Sequence, residues 1–256
     1  MHINKVCDWY ARAYYKAASG KEQGRTGANS IKGIVGAGGN PALYERIKKL
    51  ILRYLAGPLY WPTTWPTSVD PPTAEFLYSL VRLARPETAV EIGTYKGNAA
   101  IAIGQALEDN NMGILHTIDP FDQEIVHTAI RKSGLRSRVT YHNGYSQDVI
   151  PGLKLPRIDF AFIDGDHSYE SVKRDVALIS NLVPVGGVVV FHDVSIDLHQ
   201  GFDGPKKMTE ELSASGDWVV SIYPTEVGVS GDGRVVLSST RSSGFTPVGI
   251  AVCIKK

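Results

Sequence analysis

The stretch Thr88-Ala89-Val90-Glu91-Ile92-Gly93-Thr94-Tyr95-Lys96-Gly97-Asn98 decides the fold. A short apolar run meets a glycine turn, and the alanine-rich segment from Ala99 to Leu107 continues as a helix, so the reading is strand, turn, helix. Gly93 lets the chain leave the strand sharply, and Gly97 lets the helix begin close to the sheet, because neither carries a Cβ. The spacing is Gly-x-x-x-Gly. A dinucleotide-binding turn is Gly-x-Gly-x-x-Gly, whose middle glycine clears room for a pyrophosphate at the helix N-terminus. Here Thr94, Tyr95 and Lys96 fill that room. Glu91, just before the turn, repels a phosphate and attracts an ammonium or sulfonium group, so the stretch favours a cationic, phosphate-free cofactor.

S-adenosylmethionine (SAM) fits that description. Val-Glu-Ile-Gly-Thr-Tyr-Lys-Gly at 90–97 resembles the first motif of class I SAM-dependent methyltransferases, especially small-molecule O-methyltransferases of the catechol and caffeoyl-CoA type. Phe-Ile-Asp-Gly-Asp-His-Ser-Tyr at 162–169 and Gly-Gly-Val-Val-Val-Phe-His-Asp at 186–193 are similar to a subfamily that includes cephalosporin hydroxylase-like and antibiotic-tailoring enzymes. The resemblance spans roughly residues 72–200 and speaks to fold and cofactor more than to substrate.

Outward from the motif, strand and helix patterns alternate. Thr73 to Ala84 reads as a helix before the first strand. Gly113 to Ile118 is a second strand closing on Asp119-Pro120-Phe121, where a strand-end carboxylate is placed to accept both ribose hydroxyls. Gln123 to Ser133 is a helix and Arg138 to His142 a third strand. In the family it resembles, the loop that follows contacts the adenine, which carries Gly144, Tyr145 and Ser146 over by position. Ile158 to Ile163 is a fourth strand ending in Asp164 to His167, and Val188 to Phe191 a fifth, ending in His192-Asp193. Continuous apolar strands between helices imply a parallel sheet covered on both faces, with ligands at the strands' carboxyl ends. Trp218 to Tyr223 and Val248 to Ile254 read as the last two strands, separated by a Gly/Ser-rich excursion. The expected fold is α/β: a Rossmann-like class I methyltransferase sheet of five parallel strands plus a final antiparallel hairpin.

The chain has 256 residues with 27 Lys+Arg against 26 Asp+Glu, which allows one catalytic domain with an appendage and gives no electrostatic footprint for nucleic acid or an anionic membrane. Cys7 and Cys253 are too few for a disulfide framework. Neither a signal peptide nor an apolar span of membrane length is evident, which reads as cytoplasmic. Residues 1–71 are expected to be a helical appendage and linker, and 72–256 the SAM-binding domain. The aromatic-rich helical pattern of residues 5–18, tied on through a glycine-rich hinge, suggests a lid and a homo-oligomer contact, with Tyr10 and Tyr14 lining an acceptor pocket.

The expected cofactor residues are Glu91, Gly93, Thr94, Tyr95, Gly97, Asn98, Asp119, Pro120, Phe121, Gly144, Tyr145, Ser146, Asp164 and His167. Phe121 and Asp193 are expected to meet a small-molecule acceptor. An alcohol acceptor must lose its proton, and two routes stay open. The resemblance implies Mg2+, here held by Asp164, His192 and Asp193, although metal-dependent relatives carry a carboxylate where this chain has His192 and imidazole is a poor Mg2+ ligand. Alternatively His192 or His167 acts as general base, with Asp164 as the third catalytic group. N-methylation, a nicotinamide-dependent oxidoreductase and a non-catalytic SAM-binding protein are the competing functions.

Overall fold

The computed structural model describes residues 69–195, 203–223, 226–229, 235–238, 246–247 and 249–256. The expected appendage up to residue 68, with Tyr10 and Tyr14, and residues 196–202 of the loop that follows the fifth strand lie outside the described residues.

Helix α1 (Pro71–Ala84) starts two residues earlier than the apolar pattern suggests, because Asp70 caps it. The Asp70 carboxylate accepts from Thr73 N at 2.9 Å and from Thr73 Oγ1 at 2.6 Å, satisfying an amide that would otherwise be orphaned at the helix start. Then follow β1 (Thr88–Ile92), α2 (Asn98–Asn110), β2 (Ile114–Asp119), α3 (Glu124–Lys132), β3 (Val139–Asn143), α4 (Ser146–Leu153), β4 (Phe160–Ile163), α5 (Tyr169–Ile179), β5 (Val188–His192), α6 (Gly204–Ser215), β6 (Trp218–Tyr223), β7 (Glu226–Val229), β8 (Val235–Ser238), β9 (Thr246–Pro247) and β10 (Ile250–Lys255).

Seven strands form one sheet in the order β3-β2-β1-β4-β5-β10-β6. The first five pair in parallel, and β10 lies antiparallel to both β5 and β6. This is the expected sheet: five parallel strands finished by an antiparallel pair. The middle strands are apolar on both faces because helices cover both. Phe160, Phe162, Ile163 and Phe191 are all but inaccessible, and each such side chain taken from water contributes about 1.5–3 kcal/mol.

Two features depart from the sequence reading. Helix α4 holds Pro151 and Gly152, residues that argue against a helix interior, and only one turn of it precedes the proline. The Gly/Ser-rich excursion carries a second sheet, β8-β7-β9, in which Glu226–Val229 pairs antiparallel with Val235–Ser238.

The chain order reverses at β1, since β2 and β3 lie on one side of it and β4 and β5 on the other. A crevice opens at such a switch point beyond the strands' carboxyl ends.

Candidate active site

Gly93 follows β1 at φ +94°, and its N–H donates to Ile118 O on the neighbouring strand at 2.9 Å. A Cβ there would lie 2.6 Å from the Asp164 carbonyl carbon and 2.8 Å from Gly165 Cα, so the glycine is demanded as much by the end of β4 pressing on the turn as by the turn itself. At Gly97 only the backbone matters: φ is +86° at the head of α2, and a Cβ would make ordinary contacts with Val126, not the close helix–sheet approach expected from sequence.

Between them Tyr95 adopts a left-handed φ of +47°, which aims its N–H at Asp119 Oδ2, 2.7 Å away. Asp119 Oδ1 accepts from Phe121 N at 2.9 Å. The carboxylate at the end of β2 is therefore held by two backbone donors from two turns, and each oxygen keeps lone-pair capacity toward the cleft. Pro120 and the exposed Phe121 continue that rim, and Gly144 N donates to Asp119 O at 3.0 Å, joining the β3 loop to the β2 end.

Glu91 does not belong to this rim. Its side chain is buried, accepts from Thr117 Oγ1, and leaves Oε1 without a partner among the described residues. Burial, only partly offset by the Thr117 hydrogen bond and reinforced by Asp164 and Asp119, pushes its carboxyl up to about 8. A carboxyl neutral at pH 7 and walled off from the cleft does not offer the negative charge to a cationic cofactor that the sequence suggests. Thr94 Oγ1 bonds to the same Thr117 hydroxyl, making a buried Thr94–Thr117–Glu91 chain beneath the turn. Gly97 and Asn98 likewise lie behind the cleft's wall and do not line it.

The cleft has a volume of about 870 Å³, ample for a nucleoside with an amino-acid tail, and runs from Asp119 past Gly144, Tyr145 and Ser146 to the ends of β4 and β5. On its far wall the Ser146 hydroxyl donates to Asp175 Oδ1 at 2.5 Å. Asp175 and its neighbour Arg174 on α5 line the cleft, as does Gln147, and no motif in the sequence marks any of the three. Burial raises the Asp175 carboxyl, with Ser146 and Arg174 opposing the shift.

At the ends of β4 and β5 four side chains converge. His167 Nε2 lies 3.1 Å from Asp193 Oδ2 and 4.0 Å from Asp164 Oδ1. His192 Nδ1 lies 3.2 Å from Asp164 Oδ1 and 3.3 Å from Asp193 Oδ2. One donor atom each from Asp164, His167 and Asp193 falls within 4.8 Å of the others. His167, not His192, is thus the histidine of the convergent set, a difference from the trio that the sequence suggests. The reason is local: His192 ends a buried strand and packs edge-on to Phe162, with Nε2 turned back toward Asp70 at 4.0 Å. His167 sits on the β4–α5 loop, pinned where Gly204 N donates to its carbonyl at 3.0 Å and a Cβ at 204 would collide with it.

Burial works against charge on Asp193, yet hydrogen bonds from His167 and His192 hold it down at about 2. The hydrogen bond to Asp193 raises His167. For His192, burial opposes protonation but the two carboxylates outweigh it and raise the imidazole well above its ordinary range.

The fold is that of class I methyltransferases. Residues 90–194 match the model of a family described as Methyltransferase domain. A catechol O-methyltransferase from Niastella koreensis is 31% identical over 102 residues, covering 39% of this chain and 46% of that one. A caffeoyl-CoA O-methyltransferase from Populus kitakamiensis is 25% identical over 128 residues, covering 48% and 54%. The chain thus spans about half the length of the curated relatives it matches. Among solved structures, an O-methyltransferase from Bacillus cereus in complex with SAH superposes with a TM-score of 0.60 at 20% identity, over 90% of this chain and 98% of that one. The O-methyltransferase TomG from Streptomyces achromogenes, in complex with SAM, gives 0.58 at 22% identity, over 74% and 82%. In sequence the chain is similar to class I SAM-dependent small-molecule O-methyltransferases, and in fold it matches them. Among the described residues no helix is long and apolar enough to cross a membrane.

Proposed function

We propose that the protein transfers the methyl group of SAM to a hydroxyl oxygen of a small metabolite, a sugar or natural-product intermediate, in the cytoplasm. The observation that carries this reading is the coexistence in one cleft of the Asp119 cradle and, at the next strand ends, the Asp164–His167–Asp193 cluster. The matches to catechol and caffeoyl-CoA O-methyltransferases support the choice of a hydroxyl acceptor.

Bound SAM supplies a methyl group already activated on a sulfonium, so the chain has to orient the donor and acceptor and dispose of one proton. Asp119 is preset by Tyr95 N and Phe121 N to accept two further hydrogen bonds from a ribose diol. Asp164, His167 and Asp193 would hold a divalent cation, which would supply a lowered pKa to the acceptor's hydroxyl. Two carboxylates with one imidazole favour Mn2+, Fe2+, Co2+ or Zn2+ over Mg2+, which prefers oxygen. His192 touches both carboxylates from behind and holds them in place. A second reading rests on the 3.1 Å His167–Asp193 contact: it orients the imidazole and raises its basicity, as suits a general base.

The test is mass spectrometry of a metabolite extract incubated with the protein and isotopically labelled SAM, with and without EDTA. A labelled product formed only without EDTA supports the metal reading. A product that survives EDTA but is lost in His167→Ala supports the base. No labelled product under any condition refutes methyl transfer. We assign residues 1–71 to an appendage that covers the acceptor and joins copies of the chain, a reading motivated by the aromatic pattern of residues 5–18. A chain lacking residues 1–40 should then lose turnover in the same assay and assemble into fewer copies in sizing while still binding SAM, and normal turnover with the same number of copies refutes the assignment.

A further inference from the structure

The turn that presents Asp119 is held from behind by the strand at the sheet's edge. Register sets Tyr141 of β3 beside Thr117 and Asn143 beside Asp119, and residues two apart on a strand project from the same face. The Tyr141 hydroxyl donates to Phe121 O at 3.0 Å, with Asp119 O 3.3 Å away on the same side. Asn143 Nδ2 donates to Pro120 O at 3.1 Å and to Asp119 O at 3.3 Å, and Gly144 N adds its own bond to Asp119 O. Every carbonyl from Asp119 to Phe121 is thus bound by the end of β3. Tyr141 is itself braced, since His127 of α3 packs edge-on to its ring at 5.0 Å and His127 Nε2 lies 2.7 Å from Asp122 Oδ1, just past the turn. Neither Tyr141 nor Asn143 lines the cleft.

We propose that Tyr141 and Asn143 are positioning residues for the cofactor: they touch no ligand and set, through the backbone, the angle at which Asp119 meets a ribose diol. This rests on the ribose reading of Asp119. The Pro120–Phe121 peptide is the link, because a planar peptide fixes its N–H wherever its C=O is fixed. Asn143 holds Pro120 O on one edge of that plane, and on the other edge Phe121 N donates to Asp119 Oδ1 at 2.9 Å. Tyr141 holds the next carbonyl, Phe121 O. Without the two side chains the turn loses most of the donors behind it, the carboxylate samples more orientations, and accepting both hydroxyls at once carries an ordering cost that the wild-type turn has already met.

The experiment is calorimetric titration of the full chain with S-adenosylhomocysteine and with its 2′-deoxy counterpart, which lacks one of the two hydroxyls. The wild-type chain should bind the deoxy compound about ten- to a hundredfold more weakly, the scale of one hydrogen bond to a charged group. Tyr141→Phe combined with Asn143→Leu keeps the ring and the bulk while removing both donors. Affinity for S-adenosylhomocysteine should fall about three- to tenfold and affinity for the deoxy compound markedly less, so the preference for the diol contracts. Residues that only support the edge of the sheet would weaken both ligands alike, and an unchanged preference in the folded double variant overturns the proposal. Should the double variant not fold, Tyr141→Phe alone, which retains the packing on His127, is read in the same way. Equal affinities in the wild-type chain overturn the cradle and this inference together. A wild-type chain that binds neither compound refutes the SAM reading beneath both.

Discussion

The neutral carboxyl at Glu91 makes stability itself a probe of the motif. In the unfolded chain Glu91 loses its proton near its ordinary value of 4.5, whereas in the folded chain burial holds the proton up to about 8. Between those values the folded state binds more protons than the unfolded one, so the contribution of Glu91 to stability is fully present below pH 4.5 and is lost as pH rises toward 8. The slope is about 1.4 kcal/mol per pH unit, so between about pH 5 and pH 8 the loss amounts to roughly 4 kcal/mol, a large share of a typical domain's stability. Glu91→Gln removes the titration while keeping the shape and an oxygen for Thr117 Oγ1. Its amide N–H groups lack a partner, which costs about 1–3 kcal/mol at every pH. Urea unfolding of both chains at pH 5, 6, 7 and 8 should show the wild type more stable at pH 5 and the gap closing or reversing by pH 8. Other groups titrate in both chains and cancel in the difference. Parallel curves for the two proteins would refute the claim that Glu91 is neutral and buried, and would return it to the role of a charged group facing the cofactor.

The cradle and the turn carry two further expectations. Asp119→Ala removes the acceptor of Tyr95 N, Phe121 N and the proposed diol together, and calorimetry should show S-adenosylhomocysteine bound about ten- to a hundredfold more weakly; unchanged affinity rules out the cradle. Gly93→Ala forces a Cβ against the Asp164–Gly165 backbone at a φ of +94°, and thermal unfolding should register a loss of about 2 kcal/mol or more, whereas Gly186→Ala, also at positive φ but with open space around it, should cost markedly less. Equal costs at the two positions would show that the packing of β4 against the turn contributes nothing.

The local signals in this chain are strong where physics is local. Apolar strands, glycine turns and polar strand ends are written in consecutive residues, so the sheet, its antiparallel finish and the placement of Asp119, Asp164, His167, His192 and Asp193 at strand ends are legible in the sequence by itself. The cap at Asp70 is local too, a carboxylate directly ahead of two prolines, yet the apolar pattern alone starts this helix at Thr73 and misses it. Other properties depend on which elements become neighbours. Whether Glu91 faces ligand or core turns on the β1–β2 register that sets it beside Thr117. Which histidine joins the two carboxylates turns on β5 being buried while the β4–α5 loop is held at its mouth by Gly204. Asp175 reads in sequence as one polar residue on a helix, and it enters the cleft only because α5 packs beside the head of α4, where Ser146 waits to bond it. Sequence patterns report periodicity along the chain, while hydrogen-bond partners, desolvation and the convergence of side chains arise between segments far apart in it, and those only the tertiary structure decides.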